Sequence, residues 1–143
     1  MRNSMAIRLN STLPGLLLLA VCCQSLAQDA SELTVKQIMN NIITPMTTTI
    51  WGAYQLETDA QWQEIEDAAI TVVAAGNVLN SGAADFSARA GEQNWRDHNA
   101  AMIAAARQVL LAVRQQDEEA LSAAGNDALY PPCESCHQQY QQQ

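Results

Sequence analysis

Basic residues, aromatic residues and long apolar runs are all scarce in this sequence. Seven Lys and Arg stand against 15 Asp and Glu in 143 residues, a net charge of −8. Nucleic acid and anionic lipid surfaces are bound through clustered cations, so neither is expected as a partner. No apolar run reaches the roughly 20 residues that a bilayer-spanning helix needs. Strand-like alternation, internal repeats and low-complexity linkers are missing, and so are a glycine-rich phosphate loop, a Ser-His-Asp set and paired carboxylates on an obvious cleft. An enzyme in the usual sense is therefore not expected. The charge run Glu64, Glu66 and Asp67 reads as the solvated face of a helix.

The first 27 residues have the layout of a secretory signal. Arg2 and Arg8 supply a positive n-region, residues 13–23 form an apolar run, and Ser25-Leu26-Ala27 ends in small side chains. The expectation is cleavage after Ala27 and a mature domain over residues 28–143, exported to a periplasm of the Gram-negative type. A lipoprotein signal at Leu19-Ala20-Val21-Cys22 is the alternative, with Val21 bulkier than the usual residue before a lipidated cysteine. Cleavage removes two basic residues and no acid, so five basic and fifteen acidic residues remain and the net charge becomes −10. Such a surface suits solubility, or the steering of a basic redox or carrier protein. It also leaves Cys133 and Cys136 alone in an oxidising compartment, where thiols pair or bind something else.

The remainder reads as helices. Thr34-Val35-Lys36-Gln37 has the form of a capping box, and Val35, Ile38/Met39, Ile42/Ile43, Met46 and Ile50 repeat at helical spacing, predicting a helix over about 33–54. Pro45 should kink or divide it. A second box, Thr58-Asp59-Ala60-Gln61, opens a helix over 59–80 that stops at Asn80-Ser81-Gly82. Residues 81–92 read as a loop with Phe86 as its core plug. Trp95, Met102, Ala105/Ala106, Val109 and Val113 mark a third helix to about 115, with His98 and Asn99 as a polar gap in its stripe. Asp117-Glu118-Glu119 favours the start of a fourth, where helix dipole and acid attract. Pro131-Pro132 should end it, with a short separate helix from about 132 carrying Cys133 to Tyr140. The expected fold class is all-α, an up-down-up-down four-helix bundle. Its alanine-rich faces would leave room for a planar apolar group.

Cys133-Glu134-Ser135-Cys136-His137 is a C-x-x-C-H motif. Its chemistry is that of c-type haem attachment: two thiols add across the vinyl groups of the porphyrin and the adjacent imidazole binds iron. Two readings stay open beside it. Cys133 and Cys136 could form a disulfide, or a metal could bind with His98 or a carboxylate as fourth ligand. A thioredoxin-like pair would need neighbouring strands.

An exported chain of four helices with one such motif near its C-terminus resembles the cytochrome c′ family, and the likeness extends from about Leu33 to Tyr140. The resemblance implies one covalently bound haem c on the last helix, with Cys133 and Cys136 as thioether anchors, His137 as axial ligand and Tyr140 one turn beyond. It also implies a basic residue and a large apolar one over the opposite haem face, roles that Lys36 and Met39 resemble. Their spacing is three where the family usually has four, Lys36 stands where arginine is common, and Pro131-Pro132 is unusual before the first cysteine. Family members often form homodimers through their first two helices.

Antiparallel helices bring the start of the first beside the end of the last, so Met39 should face His137 across a bound haem. Met46 lies deeper. Trp95, His98, Met102 and Leu79 are expected near the pocket, with His98, the rival to Met39 as iron ligand, read as a surface or propionate-side residue, and Trp51 and Trp62 at the far end. Two axial side chains would make an electron carrier serving a redox partner protein. If Met39 only shields the iron, a five-coordinate protein binding nitric oxide or another small gas follows. A helical binding module without haem is the remaining alternative.

Overall fold

The computed structural model of the chain describes residues 33–81 and 87–141, and the signal segment and Phe86 lie outside them. All regular secondary structure among the described residues is helical. It comprises α1 (Val35–Ile38), a π segment (Met39–Ile43), α2 (Thr44–Trp51), α3 (Asp59–Asn80), α4 (Ser87–Ala90), α5 (Gln93–Gln115), α6 (Glu118–Ala123), a second π segment (Ala124–Leu129) and α7 (Tyr130–Tyr140).

The helix starts follow local chemistry. Thr34 Oγ1 accepts from the Gln37 amide at 3.1 Å, and Gln37 Oε1 accepts in return from the Thr34 amide at 2.8 Å. Thr58 and Gln61 repeat the exchange at 3.3 and 2.9 Å, so both boxes form and satisfy amides that helix geometry leaves unpaired. Asp117 caps α6 by accepting from the Ala120 amide at 2.9 Å.

The two proline sites correct the expectation of breaks. Residues 35–51 form one continuous helical rod, and so do residues 118–140. In each, a π segment immediately precedes the proline-bearing helix: Met39–Ile43 before Pro45, and Ala124–Leu129 before Pro131 and Pro132. A proline ring collides with the carbonyl four residues back and offers it no N–H. A widened turn relieves that crowding without ending the rod. The prolines then fall in a first helical turn, where a missing N–H is tolerated. Residues 81–92 also differ from expectation, since α4 forms within them.

Trp95 Nε1 donates to the Leu79 carbonyl at 3.0 Å, and Gln116 Nε2 donates to Asp59 at 3.2 Å. The start of α5 therefore meets the end of α3, and the end of α5 meets the start of α3. The Tyr140 hydroxyl donates to Glu92 at 2.9 Å, which ties the end of α7 to the start of α5 in the same antiparallel sense. Ile38, Val72, Leu79, Trp95, Val109 and Leu129 are the largest fully buried side chains, and alanines fill much of the space between them. Helices lined with alanine approach closely. Gly76 marks such an approach, between α3 and α5.

Candidate functional site

α7 carries Cys133, Cys136, His137 and Tyr140 on successive turns. Cys133 and Cys136 are half-buried free thiols, and Cys133 Sγ donates to the Leu129 carbonyl at 3.2 Å. Burial, reinforced by Cys136, pushes the Cys133 thiol up to about 11. Burial also raises Cys136, with the Arg89 guanidinium pulling the other way. Both sulfurs are thus neutral at physiological pH, unlike the lowered thiolates of reactive cysteines.

Two adjoining cavities lie against this helix. The larger, about 660 Å³, is lined by Lys36, Met39 and Asn40 of the first rod, by Arg89 and Trp95, and by Cys136, His137 and Tyr140. The smaller, about 120 Å³, is lined by Ile43, Thr47 and Trp51, by His98, Asn99 and Met102 of α5, and by Pro132 and Cys133. Met39, Thr44, Cys136 and His137 border both. The larger volume falls in the range of roughly 300–1,000 Å³ typical of cofactor and ligand sites.

The structure therefore brings together Lys36, Met39, Cys136, His137 and Tyr140 around one cavity, and Cys133, Met39 and His137 around its neighbour. Tyr140 is buried at the cavity floor, packed edge to face on Trp95 at 5.2 Å. Burial and the Glu92 carboxylate raise its hydroxyl above the ordinary tyrosine range. Trp95 and Met102 line the walls as expected, whereas Leu79 sits wholly buried behind Trp95.

Several placements differ from the sequence reading. His98 is half-buried and borders the smaller cavity, with Nε2 3.2 Å from Gln139 Oε1. Met46 faces a groove shared with Ala60, Asp67 and Ala68 of α3, away from His137. Trp51 is not at the far end: it borders the smaller cavity beside Cys133, and its Nε1 donates to the Gly125 carbonyl at 2.9 Å. Trp62 does lie away, beside Val113 and Gln116. Among the described residues no three His, Cys, Asp or Glu side chains converge as a metal-ligand set.

Arg89 is the cavity residue that sequence reasoning missed. The signal available was a lone cation in a run of small residues, six positions before Trp95. Thr47 and Asn99 were also missed as buried polar residues; each bonds its own helix, Thr47 Oγ1 to the Ile43 carbonyl at 2.9 Å and Asn99 Nδ2 to the Trp95 carbonyl at 2.9 Å.

No described helix is long and apolar enough to cross a membrane. Comparison of the chain with protein-family models, with curated proteins and with solved structures finds no match.

Proposed function

We propose that this protein is an exported, monohaem c-type cytochrome of the cytochrome c′ kind, a four-helix up-down-up-down bundle that passes electrons to or from a redox partner protein in the periplasm. The observation that carries the reading is the meeting of the C-x-x-C-H residues with Met39 around adjoining cavities. The donor set fits haem c: two neutral thiols three residues apart on one helix, an imidazole next to the second, and a cavity of cofactor size bordered by Cys136 and His137, with Cys133 on the adjoining smaller one.

Bound haem supplies a one-electron Fe(III)/Fe(II) couple. Cys133 and Cys136 would hold it through thioether bonds, and His137 would hold the iron through its imidazole. Met39 offers a thioether from the opposite rod, a ligand that favours the reduced state. Trp95 gives the larger cavity an apolar wall, and Ile43 and Met102 do the same for the smaller. The acidic chain, net −8 as a whole, suits a basic partner.

A second reading rests on the smaller cavity, whose 120 Å³ beside Met39 and His137 is ample for a diatomic gas. If Met39 shields the iron without binding it, the protein is a five-coordinate haem protein that takes nitric oxide or a similar molecule.

The test compares wild type with Met39→Ala, each produced with haem-attachment machinery, by absorption and paramagnetic resonance spectroscopy. Ligation by Met39 gives a low-spin wild type and a high-spin variant. A high-spin wild type with an unchanged variant removes Met39 ligation and favours the gas-binding reading. Failure to find covalent haem on denaturing electrophoresis removes both.

A further inference from the structure

Lys36 and Arg89 both line the larger cavity, although acids outnumber basic residues two to one over the whole chain. They come from separate elements, α1 and α4. Arg89 is fixed in place: its Cζ lies 5.7 Å from the centroid of the Trp95 ring and 5.5 Å from that of Tyr140. Cation–π contact of this kind holds the guanidinium against the two rings, yet it satisfies none of the five N–H donors. Among the described residues Arg89 makes no ion pair. Glu92, three residues on, is engaged by the Tyr140 hydroxyl. The charge of Arg89 reaches towards the haem-attachment motif, since it acts on Cys136 as well as on Tyr140.

The adjoining smaller cavity has a different lining. Ile43, Trp51, Met102, Pro132 and Cys133 make it largely apolar, and the two imidazoles are its only titratable groups apart from the thiols. The two cavities therefore differ in lining: Arg89, held by its ring contacts, and the exposed Lys36 line the larger, and apolar side chains with Cys133 line the smaller. An occupant that matches both linings is itself amphipathic, apolar along one edge and acidic along the other.

We propose that Arg89, with Lys36 on the lining of the same cavity, forms a carboxylate-binding subsite of the larger cavity. The inference rests on the haem reading, in which those carboxylates are the propionates. Arg89 is a positioning residue: its planar fork offers two parallel hydrogen bonds to a carboxylate, which a lysine ammonium cannot reproduce. Its charge also offsets the negative charge near the iron, which favours the ferrous state and raises the potential.

The experiment is a redox titration of the holo-protein as wild type, Arg89→Gln and Arg89→Lys, at low and high salt. Arg89→Gln should lower the midpoint potential, Arg89→Lys should restore most of it, and high salt should shrink the difference. Equal potentials in wild type and Arg89→Gln overturn the subsite, and so do equal shifts in the Gln and Lys variants, which would mark a packing effect. Phenylglyoxal modification of wild-type holo-protein gives a second measurement that needs no variant. Arg107 and Arg114, exposed on α5, serve as its internal reference. Arg89 should react after them, and the potential should fall only when it reacts; a potential indifferent to Arg89 modification counts against the subsite. Covalent haem with an unshifted potential removes this inference alone, whereas absence of covalent haem from wild type removes the haem reading with it.

Discussion

Gly76 offers a quantitative check on the packing that shapes the site. A Cβ added there would lie 2.6 Å from Ile103 Cγ1, 3.0 Å from Ile103 Cδ1 and 3.1 Å from Met102 Cε. Ile103 is 7% exposed, so it has little freedom to swing into solvent. Gly76→Ala gains about 1 kcal/mol of helix propensity. Overpacking a close contact costs about 1–3 kcal/mol. The expected balance is a loss of about 0–2 kcal/mol, read as a lowered denaturant midpoint by far-UV circular dichroism of the full holo-protein. The contact can be isolated with Ile103→Ala, which alone costs about 2–5 kcal/mol by opening a cavity. In the Gly76→Ala background the same substitution should cost about 1 kcal/mol less, because the new methyl fills part of that space. A gain of stability in Gly76→Ala, together with additive behaviour in the double variant, would show that α3 and α5 are not this close. The effect also reaches the site, since Met102, whose Cε would lie 3.1 Å from the added methyl, borders the smaller cavity.

Two further predictions concern the walls of the site. In protein lacking haem, Cys133 titrates near 11 instead of 9.0, so the folded state disfavours the thiolate. Its contribution to stability is complete below pH 9 and disappears as pH rises through about 11; denaturant midpoints should fall across that window. On the proposed haem reading, protein whose Cys133 sulfur is held as a thioether should lack this phase, and a flat profile with the thiol free would contradict its burial. Trp95→Phe removes the donor 3.0 Å from the Leu79 carbonyl at a position only 1% exposed. An unpaired buried carbonyl costs about 1–3 kcal/mol, so an unfolding free energy within about 0.5 kcal/mol of wild type would place that carbonyl in contact with water.

What the sequence made legible was local. The two capping boxes depend on residues three apart, and α3 begins and ends where its pattern indicates, at Asp59 and Asn80. Cys133, Cys136 and His137 were readable because the motif is contiguous. Met39 and Tyr140 followed from antiparallel pairing and helix spacing. The errors have physical causes. Proline rules assume a turn of 3.6 residues, and nothing in Met39-Asn40-Asn41-Ile42-Ile43 announces a wider one. Twelve residues of a regular helix rotate through about 1,200°, which would leave Trp51 about 120° around from Met39; absorbing one residue in the π segment reduces this to about 20°. That change of phase is why Met39, Ile43, Thr47 and Trp51 all border the smaller cavity and Met46 does not. Arg89 was hidden for a different reason: α4 is a single short turn with no apolar period to betray it, and its place depends on two rings supplied by other helices.

The two π segments also bear on how this chain can be compared with others. Each takes up one residue that a regular rod of the same length would not contain. A related protein could keep both walls of the cavities while being one residue shorter in the first rod, in the last, or in both. Aligned without gaps at residues 39–43 and 124–129, such a protein would have its wall residues paired with residues on other faces of these helices. Two single-residue gaps, set inside helices where gaps are usually penalised most, would restore the correspondence of Met39 with Trp51 and of Trp51 with Gly125.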